Sequence, residues 1–159
     1  MRLSTKGRYA VMAMADLARA GRKGPVTLSE IAERQEISLS YLEQLFAKLR
    51  RAGLVVSARG PGGGYKLKRS AQETRIGDII LAVDEPIQAT RCVAGSPKGC
   101  TGAQGRCITH DLWDELGRHI HVFLARVSLE DVIERRVLGM SGAAGGMNEM
   151  LRSSTDVAA

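Results

Sequence analysis

The chain predicts a mainly α-helical fold with one small β-hairpin: a winged helix-turn-helix domain followed by a long dimerisation helix. Three features of the sequence carry that expectation. Two short helices joined by a tight turn lie between residues 27 and 53, opened by a capping box and closed by a glycine. A glycine-rich turn between two strand-like runs follows directly. Apolar residues at heptad spacing then fill residues 111–127.

Ser4-Thr5 precede a first helix patterned by Tyr9, Val11, Met12, Met14, Leu17 and Ala18, which Gly21 and Gly24-Pro25 end. Thr27-Leu28-Ser29-Glu30 opens the second, which runs through Ile31 and Ala32 to about Gln35. After a turn at Glu36-Ile37, Ser38 caps a third helix that continues to Ala52 and stops at Gly53. Leu42, Leu45, Phe46 and Leu49 form its core face, while Ser40, Tyr41, Glu43, Gln44 and Lys48 lie off that stripe. Such a polar face is an ordinary solvated surface in most helices. In a recognition helix the same residue types meet base edges: Gln pairs with adenine and Glu accepts from cytosine N4.

Residues 54–59 and 65–69 read as strands around Gly60-Pro61-Gly62-Gly63-Gly64. A hairpin after a recognition helix is a wing. Arg59 stands at its tip, placed for a minor groove, and Lys66, Lys68 and Arg69 are placed for phosphates. The glycine run is no phosphate-cradling loop of the nucleotide-binding type, because no Gly-Lys-Ser/Thr follows it. Ile76, Ile79, Ile80 and Val83 suggest a short helix ending near Pro86, and Ser128-Leu129-Glu130-Asp131 opens another ending near Gly139. The expected organisation is a head over 1–85, a ligand loop over 86–110, a dimerisation helix with the short helix after it over 111–138, and a disordered tail over 139–159.

Composition fits this outline. At 159 residues with 44% hydrophobic content the chain can bury a core, and at 4% aromatic that core is mostly aliphatic. No apolar run approaches the roughly 18 residues of a membrane span, and Ala10–Ala18, broken by Asp16, makes no signal peptide. Residues 1–69 hold 14 Lys/Arg against 5 Asp/Glu, net +9, whereas residues 70–159 hold 9 against 12, net −3. The basic front suits a polyanionic partner such as a double-stranded DNA operator.

All three cysteines cluster with a histidine, as Cys92, Cys100, Cys107 and His110, in the spacing C-x7-C-x6-C-x2-H. An odd, clustered set argues against a secreted disulfide framework and for a reducing cytoplasm. Three thiols and an imidazole suit a tetrahedral zinc or a two-iron cluster equally. The helix at 111–127 carries Trp113, Leu116, Ile120, Phe123 and Val127 at a/d positions, which reads as the seam of a homodimer. His119 and His121 fall beside that seam or outside it, as ordinary surface or interface histidines.

Lys6-Gly7-Arg8-Tyr9-Ala10-Val11, the run from Ile37 to Phe46, Arg59-Gly60-Pro61-Gly62-Gly63-Gly64-Tyr65, Ala82-Val83-Asp84-Glu85, Thr90-Arg91-Cys92 and Cys107-Ile108-Thr109-His110 together resemble one family. It is the family of winged-helix bacterial transcription factors typified by iron–sulfur cluster regulators, and the resemblance covers roughly residues 1–138. It implies one [2Fe–2S] cluster per chain, held by Cys92, Cys100, Cys107 and His110 and delivered by the iron–sulfur assembly machinery. The spacings between cysteines are longer here than in the family pattern, an extension that a glycine-rich loop absorbs. Pattern and resemblance together place DNA contacts at Ser38, Ser40, Tyr41, Glu43, Gln44, Lys48, Arg59, Gly60 and Lys66, and link Glu43 to discrimination between two classes of site. The implied function is a cytoplasmic, homodimeric regulator that controls cluster-assembly genes and represses its own operon when loaded. A zinc-, iron- or nitric-oxide-responsive repressor is the alternative. An iron–sulfur carrier or redox enzyme is disfavoured, because it has no use for a recognition helix and wing.

Overall fold

The computed structural model describes residues 5–85 and 106–139; Cys92, Cys100 and the tail from residue 140 lie outside them. Helix α1 (Thr5–Ala20) buries Gly7, Ala10, Ala13, Met14 and Leu17 along one stripe, the three-and-four spacing that a helix needs to cover a core. A 3-10 turn at Gly21–Lys23 leads to α2 (Leu28–Gln35). The capping box forms as expected: Glu30 N donates to Thr27 Oγ1 at 3.2 Å, and Thr27 N donates to Glu30 Oε2 at 2.7 Å. The Thr27 N–H, together with the Thr27 hydroxyl that donates to Glu30 Oε2 at 2.8 Å, holds the Glu30 carboxyl below its ordinary value. Glu36 ends α2 in the left-handed region, at φ 53°, and so makes the tight turn without a glycine.

Helix α3 (Leu39–Arg51) starts at Ser38, whose Oγ accepts from Tyr41 N at 3.2 Å. It drives Leu42, Leu45, Phe46 and Leu49 into the core. Strands β1 (Val55–Ala58) and β2 (Gly64–Leu67) pair antiparallel, Val55 with Leu67 and Ser57 with Tyr65. Val26 adds a third edge, because Val26 N donates to Tyr65 O at 3.0 Å and Tyr65 N returns to Val26 O at 2.7 Å. The wing is thereby bonded to the segment that starts α2.

Helix α4 (Ile76–Ala82) buries Ile76, Ile79 and Ile80. Helix α5 (His110–Arg126) crosses it at Gly77, where an added Cβ would stand 3.3 Å from Ala125 N. The chain then returns to the head. Ile76 N donates to Val127 O at 3.0 Å and Leu129 N to Thr74 O at 2.8 Å. Helix α6 (Leu129–Ile133) opens on a Ser128–Asp131 capping box and packs on α1. It stops well before Gly139, since Arg135 turns left-handed at φ 55°. Leu129 is fully buried, a site worth about 1.5–3 kcal/mol, so the head is completed by residues well beyond 85. Asp16, 3% exposed, takes Arg34 Nη2 at 2.8 Å, Arg34 Nε at 3.0 Å and Gln35 Nε2 at 3.2 Å, tying α1 to α2 by a satisfied ion pair. Among the described residues no helix is long and apolar enough to cross a membrane.

Candidate nucleic-acid interface and cofactor ligands

The outer side of α3 is set by what its inner side does. With Leu42, Leu45, Phe46 and Leu49 at 1% exposure or less, the helix cannot roll, and Ser40, Glu43 and Gln44 remain at the surface. Glu43 and Gln44 are exposed and make no side-chain hydrogen bond or ion pair among the described residues. Ser38 Oγ caps the helix and lies 3.5 Å from Ser40 Oγ, a contact in which either hydroxyl can donate. Tyr41 is half-buried and meets Tyr9 edge-on at 6.1 Å, so its ring braces α3 against α1.

The wing is fixed to the same helix. Phe46 and Tyr65 meet at 5.0 Å with an interplanar angle of 67°, bonding the inner face of β2 to the core of α3. Arg59 and Gly60 stand exposed at the tip, and Gly63 N closes the turn on Gly60 O at 2.9 Å. Lys66, opposite Val56, is on the outer face of the hairpin. A polar helix face and a basic wing held in fixed relation fit one major groove with the flanking backbone.

Lys48, one of the expected contacts, also has a partner within the chain. Its Nζ lies 2.6 Å from Asp84 Oδ2, just after α4. That bond raises the Lys48 ammonium above its ordinary pKa, and Lys48 in turn lowers the Asp84 carboxyl. Periodicity put Lys48 on the polar face; a partner 36 residues away leaves no mark in periodicity.

Of the four expected ligands, Cys107 and His110 are described; Cys92 and Cys100 lie outside the described residues. Cys107 is half-buried, with Sγ 3.6 Å from Thr109 Oγ1. His110 is the first residue of α5, its N–H bonded to Cys107 O at 2.9 Å. One thiol and one imidazole are thus held within a single turn at the mouth of α5. Sulfur and nitrogen donors of this kind fit iron and zinc alike.

Helix α5 has seventeen residues, none of them buried. Leu112 is 63% exposed, Val122 47% and Trp113 40%, with Leu116 and Ile120 half-covered beside them. Ion pairs such as Arg118–Asp114 at 2.7 Å, and the His119–Glu115 contact at 3.0 Å, mark its charged side. His121 is exposed. Val127 departs from the expected seam: it lies past the end of α5 in extended backbone and is 2% exposed within the head's own core. Heptad counting runs one step too far, because the last a/d position is claimed by α4 and its neighbours. Phe123 is also partly covered by that core.

Comparison with known proteins is consistent throughout. Residues 3–135 match the family model "Rrf2: Iron-dependent Transcriptional regulator". The HTH-type transcriptional regulator IscR of Photorhabdus laumondii is 52% identical over 143 residues, covering 89% of this chain and 85% of its own. IscR of Cereibacter sphaeroides is 50% identical over 139 residues, covering 86% and 90%. Among solved structures, T. potens IscR superposes with a TM-score of 0.69 at 35% identity over 95% of this chain and 96% of that one. CymR, the global cysteine regulator of B. subtilis, superposes at 0.70 with 33% identity, covering 85% and 98%. These relatives are transcription regulators, not enzymes.

Proposed function

The chain belongs to the Rrf2 family of transcriptional regulators, and from that premise we propose that it is a cytoplasmic homodimer that reads a roughly two-fold DNA operator according to whether a [2Fe–2S] cluster is bound. The observation that carries the DNA half is the exposed set Ser40, Glu43 and Gln44 on a helix locked by its core face, beside a docked wing bearing Arg59 and Lys66. Ser40, Glu43 and Gln44 take the base edges. Arg59 enters the minor groove, and Ser38, Tyr41, Gly60 and Lys66 hold the sugar–phosphate backbone.

The cofactor half rests on the donor set and on relatives named IscR. Cys92, Cys100, Cys107 and His110 hold the cluster, which supplies a redox- and iron-responsive core when bound. The neutral imidazole leaves the assembly less negative, and more easily lost, than four thiolates would. Pairing follows from α5: an amphipathic helix with no buried residue, still showing Leu112, Trp113 and Val122, suits a second copy of itself. Two heads joined in this way present α3 to successive major grooves about 34 Å apart. Loading of the ligand loop shifts the population of dimers competent for the operator, and the target genes are those of cluster assembly, the likewise proposed source of the cluster.

Anaerobic purification tests this reading. The protein emerges red-brown, with about two irons and two sulfides per chain. Alanine at Cys92, Cys100 or Cys107 removes the colour and at His110 weakens it, whereas His119→Ala and His121→Ala keep it. Stoichiometric zinc without iron overturns the cluster and leaves a zinc-responsive regulator.

A further inference from the structure

We propose that Lys48 and Asp84 form a positioning link between the recognition helix and the start of the ligand loop, and that Lys48 is therefore not a DNA contact. The proposal rests on the reading that this loop holds a cofactor.

Five observations converge at this junction. Lys48 sits in the later turns of α3 with its ammonium 2.6 Å from Asp84 Oδ2, and only 27% of its side chain is exposed. Asp84 holds a left-handed backbone at φ 56°, a conformation that a residue with a side chain rarely adopts. Its N–H is tied to Leu81 O at 3.0 Å, which aims the carboxylate back across the fold at α3. The cations facing that carboxylate come from two elements, Lys6 of α1 and Lys48 and Arg51 of α3. Glu85, next along, bonds its N–H to Ile80 O at 3.4 Å, and the Cβ that Gly7 lacks would come within 3.5 Å of Glu85 Cγ. Residues 84–85 therefore meet α1 and α3 immediately before the segment that carries Cys92, with the Asp84 side chain itself 72% exposed.

The strength of the pair points to its role. An exposed ion pair adds little to stability, so Lys48–Asp84 is a poor staple. Its proposed role is positional: displacing Asp84 relative to the end of α3 means releasing this bond. A change of path in the ligand loop, pulling on residue 84, is thus delivered to the helix that carries Ser40, Glu43 and Gln44. A lysine whose charge is already met by a carboxylate also has little attraction left for a phosphate. Lys48 is a positioning residue, and the DNA surface loses one of its expected contacts.

The test compares wild type, Lys48→Gln, Asp84→Asn and the exchange Lys48→Asp with Asp84→Lys. Each full-length protein, cluster-loaded and cluster-free, is titrated onto one specific duplex over a salt series. Wild type shows a loaded-to-free affinity ratio, and both single variants lower it by about fivefold, the small end of ordinary coupling between sites. Their salt slopes stay at the wild-type value, and the exchange restores the ratio. Amide exchange of Asp84 and Glu85 in cluster-free protein gives a reading independent of DNA: it speeds in both single variants and slows again in the exchange. A salt slope reduced by about one in Lys48→Gln with the ratio intact makes Lys48 a phosphate contact and overturns the proposal. If wild type takes up no cluster, the underlying cofactor reading fails and the link fails with it. If wild type loads and responds while the variants respond equally, the link alone fails.

Discussion

Gly64 is the point at which the wing is most exposed to a single methyl group. It opens β2 at φ 156° against Val26, and a Cβ added there would lie 2.6 Å from Val26 C, 3.0 Å from Thr27 N and closer still to Val26 O. These are backbone atoms at the start of α2, where the capping box holds Thr27 in place, so they cannot step aside as a flexible side chain could. Gly64→Ala must break the two Val26–Tyr65 hydrogen bonds, at about 0.5–1.5 kcal/mol each. It also leaves a strained residue at about 1–3 kcal/mol. The expected loss is about 2–6 kcal/mol in urea unfolding followed by circular dichroism. Gly62→Ala is the control, because at φ 73° it faces open space and carries only the left-handed penalty of about 1–2 kcal/mol. Folded Gly64→Ala protein should also lose operator affinity more than Gly62→Ala does, since the undocked hairpin no longer holds Arg59 in place. A Gly64→Ala variant within about 0.5 kcal/mol of wild type, the size of an ordinary surface change, would refute the claim that Val26 docks the wing.

Three further outcomes are expected. Gln44→Ala weakens specific binding by about 1–3 kcal/mol, whereas Lys66→Ala weakens binding to every sequence and flattens the salt slope; equal losses for both on operator and random duplexes would erase that division of roles. Glu43→Ala lets cluster-free protein bind sites that otherwise need the cluster, because an acidic side chain near phosphates repels a site that offers it no donor; an unchanged affinity ratio between the two site classes by anisotropy leaves Glu43 a plain surface residue. Leu116→Lys with Ile120→Lys produces folded monomers in sedimentation, while Val127→Lys unfolds the head, because Val127 is 2% exposed within one chain; dimers from the first pair would move the seam elsewhere.

The parts of the fold that were legible in the sequence are those governed by neighbours in the chain. Thr27 and Glu30 form a capping box because the atoms that must meet are three residues apart. Gly53 stops α3 because a left-handed residue is needed there, at φ 72°. The stripe Leu42, Leu45, Phe46, Leu49 predicts its own burial. What the sequence leaves hidden all involves distant partners. Lys48 lies on a polar face by any count, yet its partner is Asp84. Val127 keeps the heptad beat, yet periodicity cannot say whether a core belongs to one chain or two. The bridge from Arg75 to Ser128 returns the chain to the head across a separation that no local signal marks. The Asp16–Arg34 pair was equally hidden, since an aspartate breaking an apolar run reads as a surface residue until its partner is known.

Those long-range contacts also hold the described residues on either side of the expected ligand loop. Its leading end, at Asp84 and Glu85, is held by α1 and by the late turns of α3. Its trailing end, at Cys107 and His110, begins α5. Helix α5 itself is fixed to the head at its far end, by the crossing at Gly77 and the Val127 O to Ile76 N hydrogen bond. In the proposed ligand set Cys92 and Cys100 come from the segment between these ends and Cys107 and His110 from the mouth of α5, so on that proposal loading would act on the start of the helix proposed for pairing. Motion there is leveraged, because α5 has no buried residue along its length and is restrained mainly where it crosses α4. On the proposed link through Asp84, the same loading would also reach α3. In the proposed dimer, spacing between the two heads and the setting of each recognition helix would then change together, which is what an operator built from two half-sites is able to detect.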